Sequence, residues 1–235
     1  MKTVIHEMRN HLAVAVANVE AFIEGRIVPT QARLNSVMQA LNEVDRLIGD
    51  LDVVERGGDS ARTMRSELRT IDVCALIANE AMGMESAAHE RGVDFTIRRC
   101  EAVHPACHAF RGDPDRIGQV VNNVISNAIR YTPPGGAVEV DCQRGPGELV
   151  FSVIDDGPGI AQSEQDHVFE RGFRGRAAAG TEGSGFGLAL VRSFVEQHGG
   201  TIDLVSRVGP GHGTTFTIKL PGQADAQRRR GASLQ

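Results

Sequence analysis

Apolar residues recur at alternating intervals of three and four positions in two stretches near the start of the chain. The stretches cover residues 3–25 and about 30–51, and Gly25 and Pro29 interrupt the pattern between them. This spacing is typical of amphipathic helices that pack along a seam, so it predicts a helical hairpin. The seam positions are Ile5, Met8, Leu12, Ala15, Val19 and Phe22, followed by Leu34, Val37, Leu41, Val44, Ile48 and Leu51. One hairpin is too thin to bury both seams, so two copies are expected to form a four-helix bundle.

The pattern changes after the run Gly57-Gly58-Asp59-Ser60, which predicts a linker. Beyond it, helices are predicted from Asp72 to about Arg91, over 114–130 and from 187 to about 198. Strands are predicted over 93–97, near 106–110, over 137–142 and 148–154, and near 201–206 and 213–220. These elements predict a mixed sheet with helices on one face, so the fold class is α+β. The predicted domains are 1–58 and 66–221, with a linker at 59–65 and a disordered tail at 222–235.

The predicted helix at 114–130 has a polar stripe that contains two asparagines one turn apart, Asn123 and Asn127. Asparagine in a helix interior costs roughly half a kcal/mol relative to alanine, and a solvated face would more cheaply carry Glu, Lys or Arg. The stripe therefore indicates a functional role, and the amide oxygen of Asn127 is a hard ligand suited to Mg²⁺ that bridges phosphates. The alternative is an ordinary polar helix face.

The segment FSVIDDGPGI at residues 151–160 combines a strand end, a carboxylate pair and two glycines. An apolar run from Leu149 to Ile154 predicts a buried strand. Asp155 follows it, where a carboxylate can accept a hydrogen bond from the exocyclic amine of adenine, whereas guanine presents an acceptor at the same place. Gly157 and Gly159 let a ligand approach the backbone where a Cβ would block it. The segment predicts an adenine site, and the alternative is an ordinary glycine-rich turn.

Two further glycine-rich segments follow. GSGFGLALV at 183–191 leads directly into an apolar helix, and backbone N–H groups at a helix N-terminus bind phosphate. GHGTTFTIKL at 211–220 is a glycine turn that opens a strand. Neither run has the spacing of a dinucleotide-binding fingerprint or a P-loop, so both of those nucleotide-binding classes are excluded.

Composition narrows the class of protein further. The chain has 235 residues, which suits one large or two small domains, and its 41% apolar content can form a substantial core. A net charge of −5 gives no electrostatic argument for a nucleic-acid partner. The four cysteines, Cys74, Cys100, Cys107 and Cys142, form no CxxC motif, which favours a reducing cytoplasm. No signal peptide or apolar run of about 20 residues is present, so we expect a soluble, cytoplasmic chain.

Several short motifs lie in the order and approximate spacing of one ATP-binding domain. They are NxxxNA at 123–128, DxGxG at 155–159, GxGxGLAL at 183–190 and GxGTxF at 211–216. Together they resemble the domain shared by sensor histidine kinases, type II topoisomerases, mismatch-repair MutL proteins and the large heat-shock chaperones. VFERGFRG at 168–175 resembles the phenylalanine box of histidine kinases, and HEMRNHL at 6–12 resembles their phosphoacceptor box. The resemblance covers about residues 3–221.

The resemblance implies a Bergerat (GHKL) α/β-sandwich that binds ATP and Mg²⁺, with Asn127 as the metal ligand. We expect the matching positions to surround one nucleotide. They are Asn123, Asn127, Arg130, Tyr131, Asp155, Gly157, Gly159, Ile160, Phe169, Gly183, Ser184, Gly185, Phe186, Gly187, Leu188 and Thr214.

For the N-terminal hairpin the resemblance implies a kinase that phosphorylates itself and dimerises. His6 is expected to receive the γ-phosphoryl group and pass it to an aspartate of a response regulator. Glu7 is expected to accept the proton on Nδ1 of His6, and Asn10 to orient a water that removes phosphate from the regulator. Phosphoryl transfer to an imidazole requires a neutral ring with one nitrogen in line with the γ-phosphate.

This chain departs from the family in two respects. His11 stands where the family usually has proline, and only five residues precede His6, where family members carry a sensor. We therefore expect an excised catalytic core whose full-length protein includes an upstream sensor region and a possible membrane anchor. Two alternatives stay open: a nucleotide-binding regulatory module without autokinase activity, and a serine kinase of the anti-sigma type. The hairpin with His6 argues against the serine kinase.

Overall fold

The computed structural model describes residues 2–30, 33–34, 36–38, 40–41, 44, 68–98, 110–145, 148–176, 185–209 and 211–221. These residues belong to two compact units, one within the first sixty residues and one that follows it. No helix in the ranges just given is long and apolar enough to cross a membrane.

The first unit contains helix α1 (Lys2–Ile23) and helical backbone at described positions between 33 and 44. Beyond α1, Gly25 adopts a φ of +67°, a conformation that glycine adopts at low cost, and this ends the helix as the sequence predicts. Ala15, Val37 and Ala40 form a small buried cluster against which Phe22 packs. Other predicted seam residues of α1, namely Ile5, Leu12 and Val19, are 41%, 46% and 41% exposed in the single chain.

The second unit contains seven strands and five helices among the described residues. They are β1 (Arg69–Ile71), α2 (Val73–Gly83), α3 (Glu85–Glu90), β2 (Asp94–Arg98), β3 (Phe110–Gly112), α4 (Pro114–Tyr131), β4 (Ala137–Gly145), β5 (Glu148–Asp155), α5 (Gln162–Gln165), α6 (Gly187–Gln197), β6 (Thr201–Arg207) and β7 (Gly213–Pro221). This element order confirms the predicted α+β class.

The main sheet has five strands in the order β2-β4-β5-β7-β6. β2 and β4 are parallel and the other pairs are antiparallel, so the predicted mixed sheet is confirmed. β1 and β3 form a separate antiparallel pair. In the main sheet β5 is central, and its register places Asp155 opposite Thr214 of β7. The end of β5 is therefore paired with β4 on one side and with β7 on the other.

One face of this sheet is buried and the other is polar. Side chains alternate between the two faces along a strand. The cross-strand pair Phe151 and Ile218 is fully buried, and α4 and α6 supply most of the apolar residues on the helical side of the core. On the opposite face Lys219 forms an ion pair of 3.1 Å with Asp203. This arrangement confirms the prediction of helices on one face.

The helix predicted at 114–130 forms as α4 and extends one residue further. Asp113 caps it by accepting hydrogen bonds from the N–H groups of Asp115 and Arg116, and Pro114 occupies the first turn, where its missing N–H costs nothing. The apolar stripe of α4 is buried against the sheet and neighbouring helices. Its members include Ile117, Val120, Val121, Val124 and Ala128.

The single helix predicted from Asp72 to Arg91 was wrong, because the chain forms two helices there. Asp72 does cap α2 by accepting a bond of 3.0 Å from the N–H of Ala75. Helix α2 ends at Gly83, and the N–H of Met84 bonds to the carbonyl of Ala81, a tight three-residue spacing. Glycine has the lowest helix propensity after proline, which favours the break at this point.

Residues 99–109 lie outside the described ranges, so only residue 110 of the short strand predicted near 106–110 can be compared with the structure. That residue is the first of β3.

Candidate functional site

The carboxylate of Asp155 lies buried at the end of the central strand β5. The residue is 7% exposed, and its Oδ1 accepts a hydrogen bond of 2.9 Å from the N–H of Gly157. Burial raises the pKa of Asp155 to about 6, which backbone hydrogen bonds from Gly157 and Thr214 partly oppose and the nearby Asp156 carboxylate reinforces. A buried carboxylate with remaining acceptor capacity can receive an N–H group from a ligand.

The turn after β5 packs tightly on the end of β6. Gly159 has a φ of +73°, and a Cβ at this position would overlap the carbonyl oxygen of Arg207. Only glycine fits both the left-handed backbone and this contact. Asp156 fastens the start of the turn, because its Oδ2 accepts from the N–H of Ala137 at 3.1 Å and its own N–H donates to the Ala137 carbonyl.

Ser206 of β6 connects this turn to β7. Its hydroxyl oxygen accepts a hydrogen bond of 2.8 Å from the N–H of Ile160, and its O–H group donates to the carbonyl of Gly213 at 2.9 Å. The Oγ1 of Thr214 is 2.9 Å from the same oxygen. Since the one hydroxyl proton of Ser206 goes to Gly213, the Thr214 hydroxyl is the donor in that contact.

Two further side chains hold the turn from outside. Nδ1 of His212 lies 2.6 Å from the carbonyl oxygen of Gly157, so this nitrogen carries the proton and donates. Nε2 of Gln165 donates to the carbonyls of Ile160, at 2.8 Å, and Ser206, at 3.1 Å. Sequence reasoning missed Ser206, His212 and Gln165 as parts of the site. Only the position of His212 inside the GxGTxF motif offered a signal.

The glycine-rich entry to helix α6 rests against α4. A Cβ on Gly187 would lie 2.7 Å from Oδ1 of Asn123, so the two helices approach closely there because residue 187 is glycine. Nδ2 of Asn123 donates to the carbonyl of Gln119 within α4 at 2.9 Å. Asn123 is buried, and its amide packs against Gly187 at the start of α6.

The first turn of α6 can bind an anion. No side chain in the described part of the structure caps this helix, so the leading N–H groups near Gly187 and Leu188 lack intrahelical partners. These donors and the positive end of the helix dipole favour a negatively charged group such as phosphate.

Asn127 lies on α4 between the two halves of the site. One turn before it, Asn123 contacts Gly187; one turn after it, the carbonyl oxygen of Tyr131 lies 3.4 Å from where a Cβ on Gly157 would be. Residues four apart share a helix face, so Asn127 faces the space between the start of α6 and the Asp155 turn. Its side chain is half-buried and forms no hydrogen bond with other described residues. Arg130, also half-buried, is in the last turn of the same helix.

The segment that carries Phe169 is joined to the entry of α6. The Phe169 ring meets Phe216 edge-on at 6.3 Å, and the Arg192 guanidinium lies 4.7 Å from its centroid. The N–H of Gly172 bonds to the carbonyl of Gly185 at 3.0 Å. Phe186 forms the N-cap of α6. The predicted phenylalanine box and the second glycine box are therefore neighbours in space.

The remaining predicted site residues lie either in the first unit or outside the described part of the structure. The first unit carries His6, Glu7 and Asn10 in α1, where Asn10 is exposed. The side chains of His6 and Glu7 lie outside the described part of the structure, as do Gly183 and Ser184. The roles assigned to these residues stay predictions.

A protein-only metal site is absent from the described residues: no group of three or more His, Cys, Asp and Glu side chains could hold an ion. Mg²⁺ commonly takes only one or two protein ligands and completes its shell with phosphate oxygens and water. The single amide of Asn127, placed between the uncapped start of α6 and the buried carboxylate of Asp155, fits that mode of binding.

Comparison with known proteins adds independent findings. Residues 112–224 match the family described as "Histidine kinase-, DNA gyrase B-, and HSP90-like ATPase". The sensor protein SrrB of Staphylococcus aureus is 31% identical over 223 residues, which cover 93% of this chain and 37% of SrrB. The chain therefore spans well under half the length of the curated relatives it matches.

Solved structures have the same fold. The mycobacterial sensor histidine kinase MprB is 32% identical with a TM-score of 0.52, and the match covers 63% of this chain and 94% of that one. The histidine kinase ThkA, solved in complex with the response regulator protein TrrA, matches 95% of this chain and 61% of that one, with a TM-score of 0.59 at 20% identity. The likeness to ThkA concerns the fold alone.

Proposed function

The chain belongs to the sensor histidine kinase family, and from this premise we propose that it binds ATP and phosphorylates itself on His6. The phosphoryl group then passes to an aspartate in the receiver domain of a response regulator. The observation that carries the proposal is the buried Asp155 carboxylate at the end of β5, placed on the same side of α4 as the start of α6. An acceptor for adenine and donors for phosphate thus lie at the two ends of one site.

Each part of the site has a role in the proposed binding. Asp155 accepts from the exocyclic amine of adenine, and the turn held by Ser206 and His212 keeps that carboxylate in place. The first turn of α6 binds phosphate oxygens through backbone N–H groups. Asn127 holds Mg²⁺ through its amide oxygen, and the metal neutralises charge on the phosphates.

The first unit supplies the phosphoacceptor and the dimer interface. We assign residues 1–58 to this role, 59–65 to the linker, 66–221 to ATP binding and 222–235 to a tail. The exposed seam residues Ile5, Leu12 and Val19 support pairing of two hairpins, because a second copy would bury them. Within α1, Glu7 accepts the proton on Nδ1 of His6, which leaves Nε2 as the nucleophile.

The proposed partners are a second copy and a response regulator. ThkA was solved with such a regulator, and the fold match to ThkA covers 95% of this chain. We propose that the signal comes from a sensor region outside this sequence, because the relatives it matches are considerably longer. The catalytic core acts in the cytoplasm, where ATP and the regulator are available.

The function is tested by incubating the chain with γ-labelled ATP and Mg²⁺ and then measuring the stability of the incorporated label. Phosphohistidine is labile in acid and stable in base, so label lost in acid and kept in base is the expected result. Acid-stable label would indicate the serine kinase instead. Bound nucleotide without any covalent label would indicate the regulatory module.

Asn127→Ala should weaken nucleotide binding mainly when Mg²⁺ is present. The variant removes the amide oxygen proposed to hold the metal, so we expect roughly a tenfold loss of ATP affinity with Mg²⁺, equivalent to about 1.4 kcal/mol, and a smaller loss with a chelator present. Calorimetry under both conditions measures the difference. Asn122→Ala is the matched control on the same helix, since Nδ2 of Asn122 bonds instead to Oε2 of Glu80 at 2.6 Å. Equal losses with and without the metal would remove Asn127 from this role.

Asn10→Ala should separate two activities of the protein. Asn10 is exposed and lies one turn beyond His6 on α1, so its amide can hold a water in line with a regulator phosphate docked over His6. Attack of His6 on ATP needs no such water. Autophosphorylation should stay within a few-fold, while dephosphorylation of the regulator slows about tenfold or more.

The control for Asn10 is Asn18→Ala, whose side chain bonds only to the carbonyl of Val14 within the same helix. It should leave both rates unchanged. The assigned role is wrong if Asn10→Ala abolishes autophosphorylation but preserves dephosphorylation.

A further inference from the structure

Two cysteines from distant parts of the chain meet inside the second unit. Cys74 lies in the first turn of α2 and Cys142 lies in β4, and their Sγ atoms are 3.9 Å apart. We propose that this pair is a redox modification site, at which a peroxide converts the two thiols to an intradomain disulfide. Both cysteines lie outside the predicted nucleotide-binding motifs, and the proposal does not depend on the proposed kinase activity.

The geometry requires only a small movement. A disulfide bond is about 2.05 Å long, so the sulfur atoms must approach by about 1.9 Å. Cys142 is 7% exposed and is fixed by the pairing of β4 with β5, where it lies opposite Phe151. Cys74 is half-buried near the end of a helix. Because Cys142 is held within the sheet, the approach has to come mainly from Cys74 and the first turn of α2.

The two thiols differ in access, which determines the order of events. Cys74 is half-buried whereas Cys142 is buried, so peroxide reaches Cys74 first. The Cys74 thiolate attacks hydrogen peroxide, the O–O bond breaks, and the products are a sulfenic acid and hydroxide. Cys142 then attacks the sulfenic sulfur, and the S–O bond breaks as the S–S bond forms. Two thiols and one peroxide thus give one disulfide and two waters.

The crosslink would join α2 to the sheet and close a loop that contains α4. Helix α2 is already attached to α4, because Oε2 of Glu80 accepts from Nδ2 of Asn122 at 2.6 Å. Glu80 also fills the space next to Gly118, whose Cβ would lie 3.1 Å from Oε1. The bond therefore ties two helices and the sheet together across 68 positions of sequence, a long loop of the kind that a disulfide stabilises most.

The test uses the full chain with Cys100 and Cys107 both replaced by serine, so that only the proposed pair can react. After treatment with hydrogen peroxide, non-reducing digestion and mass spectrometry should find the Cys74 and Cys142 peptides joined, with the loss of two hydrogen atoms. The Tm should rise by several degrees and return to its starting value on addition of dithiothreitol.

Two single variants in that background complete the design. Cys142→Ala keeps the buried position apolar, and it should leave a Cys74 sulfenic acid that dimedone traps, with no rise in Tm. Cys74→Ala should give neither a linked peptide nor a trapped sulfenic acid. Disulfides only between chains, or a Cys74 sulfenic acid that persists while Cys142 is present, would overturn the proposal.

Discussion

Replacing His6 with glutamine should abolish the incorporation of acid-labile phosphate from γ-labelled ATP and leave nucleotide affinity unchanged. Glutamine is a good helix former, so α1 should persist, but it has no ring nitrogen that can attack phosphorus. All described residues proposed to contact the nucleotide belong to the second unit, whereas His6 lies in the first. Loss of labelling without loss of binding is therefore the specific signature of a missing nucleophile.

His11→Gln is the matched control for this experiment. His11 also lies in α1, five positions further on, which places it about 140° around the helix from His6. It is half-buried, and its replacement should leave labelling within a few-fold of the original level. If label persists in His6→Gln and disappears in His11→Gln, the assignment of the phosphoacceptor is wrong.

Asp155→Asn should change binding and stability in opposite directions. The amide can present a donor to the adenine amine in place of an acceptor, so ATP affinity should fall by an order of magnitude or more, consistent with about 1.5–3 kcal/mol for a hydrogen bond to a charged group. The Tm of the protein without nucleotide should rise at neutral pH. A buried carboxylate held ionised for its ligand costs the fold stability, and the amide removes that charge.

The pH dependence follows from the shifted pKa of this carboxyl. Burial raises the pKa of Asp155 from 3.8 to about 6, so between these values the folded state binds more protons than the unfolded state. The resulting stabilisation is fully present below pH 3.8 and is lost as the pH rises through about 6. The Tm difference between Asp155→Asn and the original protein should therefore be largest near pH 7 and shrink as the pH falls below 6.

Calorimetry of ATP binding and thermal unfolding, each measured from pH 5 to pH 8, test both halves of this prediction. Asp156→Asn is the control, because that carboxylate is exposed and its Oδ2 accepts only from the N–H of Ala137. It should retain nucleotide affinity, and the difference in Tm between Asp156→Asn and the original protein should vary little with pH, because both keep Asp155. Unchanged affinity in Asp155→Asn would exclude the proposed contact with adenine.

Local patterns along the chain were sufficient to predict several elements. Asp113 and Pro114 mark the start of α4, and the apolar stripe after them determines which face is buried. The run before Asp155 predicts the central strand over 148–154, and the observed strand begins at the same residue and extends one residue further at its C-terminal end. These features depend on residues within a few positions of one another, so capping, periodicity and backbone conformation are sufficient to specify them.

Contacts across long sequence separations were decided only by the tertiary structure. The sequence alone predicted the helical hairpin, the mixed sheet and Asp155 as the adenine acceptor, because each depends on local pattern. It did not predict that Ser206 would hold Ile160, that Asn123 would support Gly187, or that the thiols of Cys74 and Cys142 would meet. Strand register and helix packing bring these residues together, and both are set by the burial of the whole core rather than by any single segment.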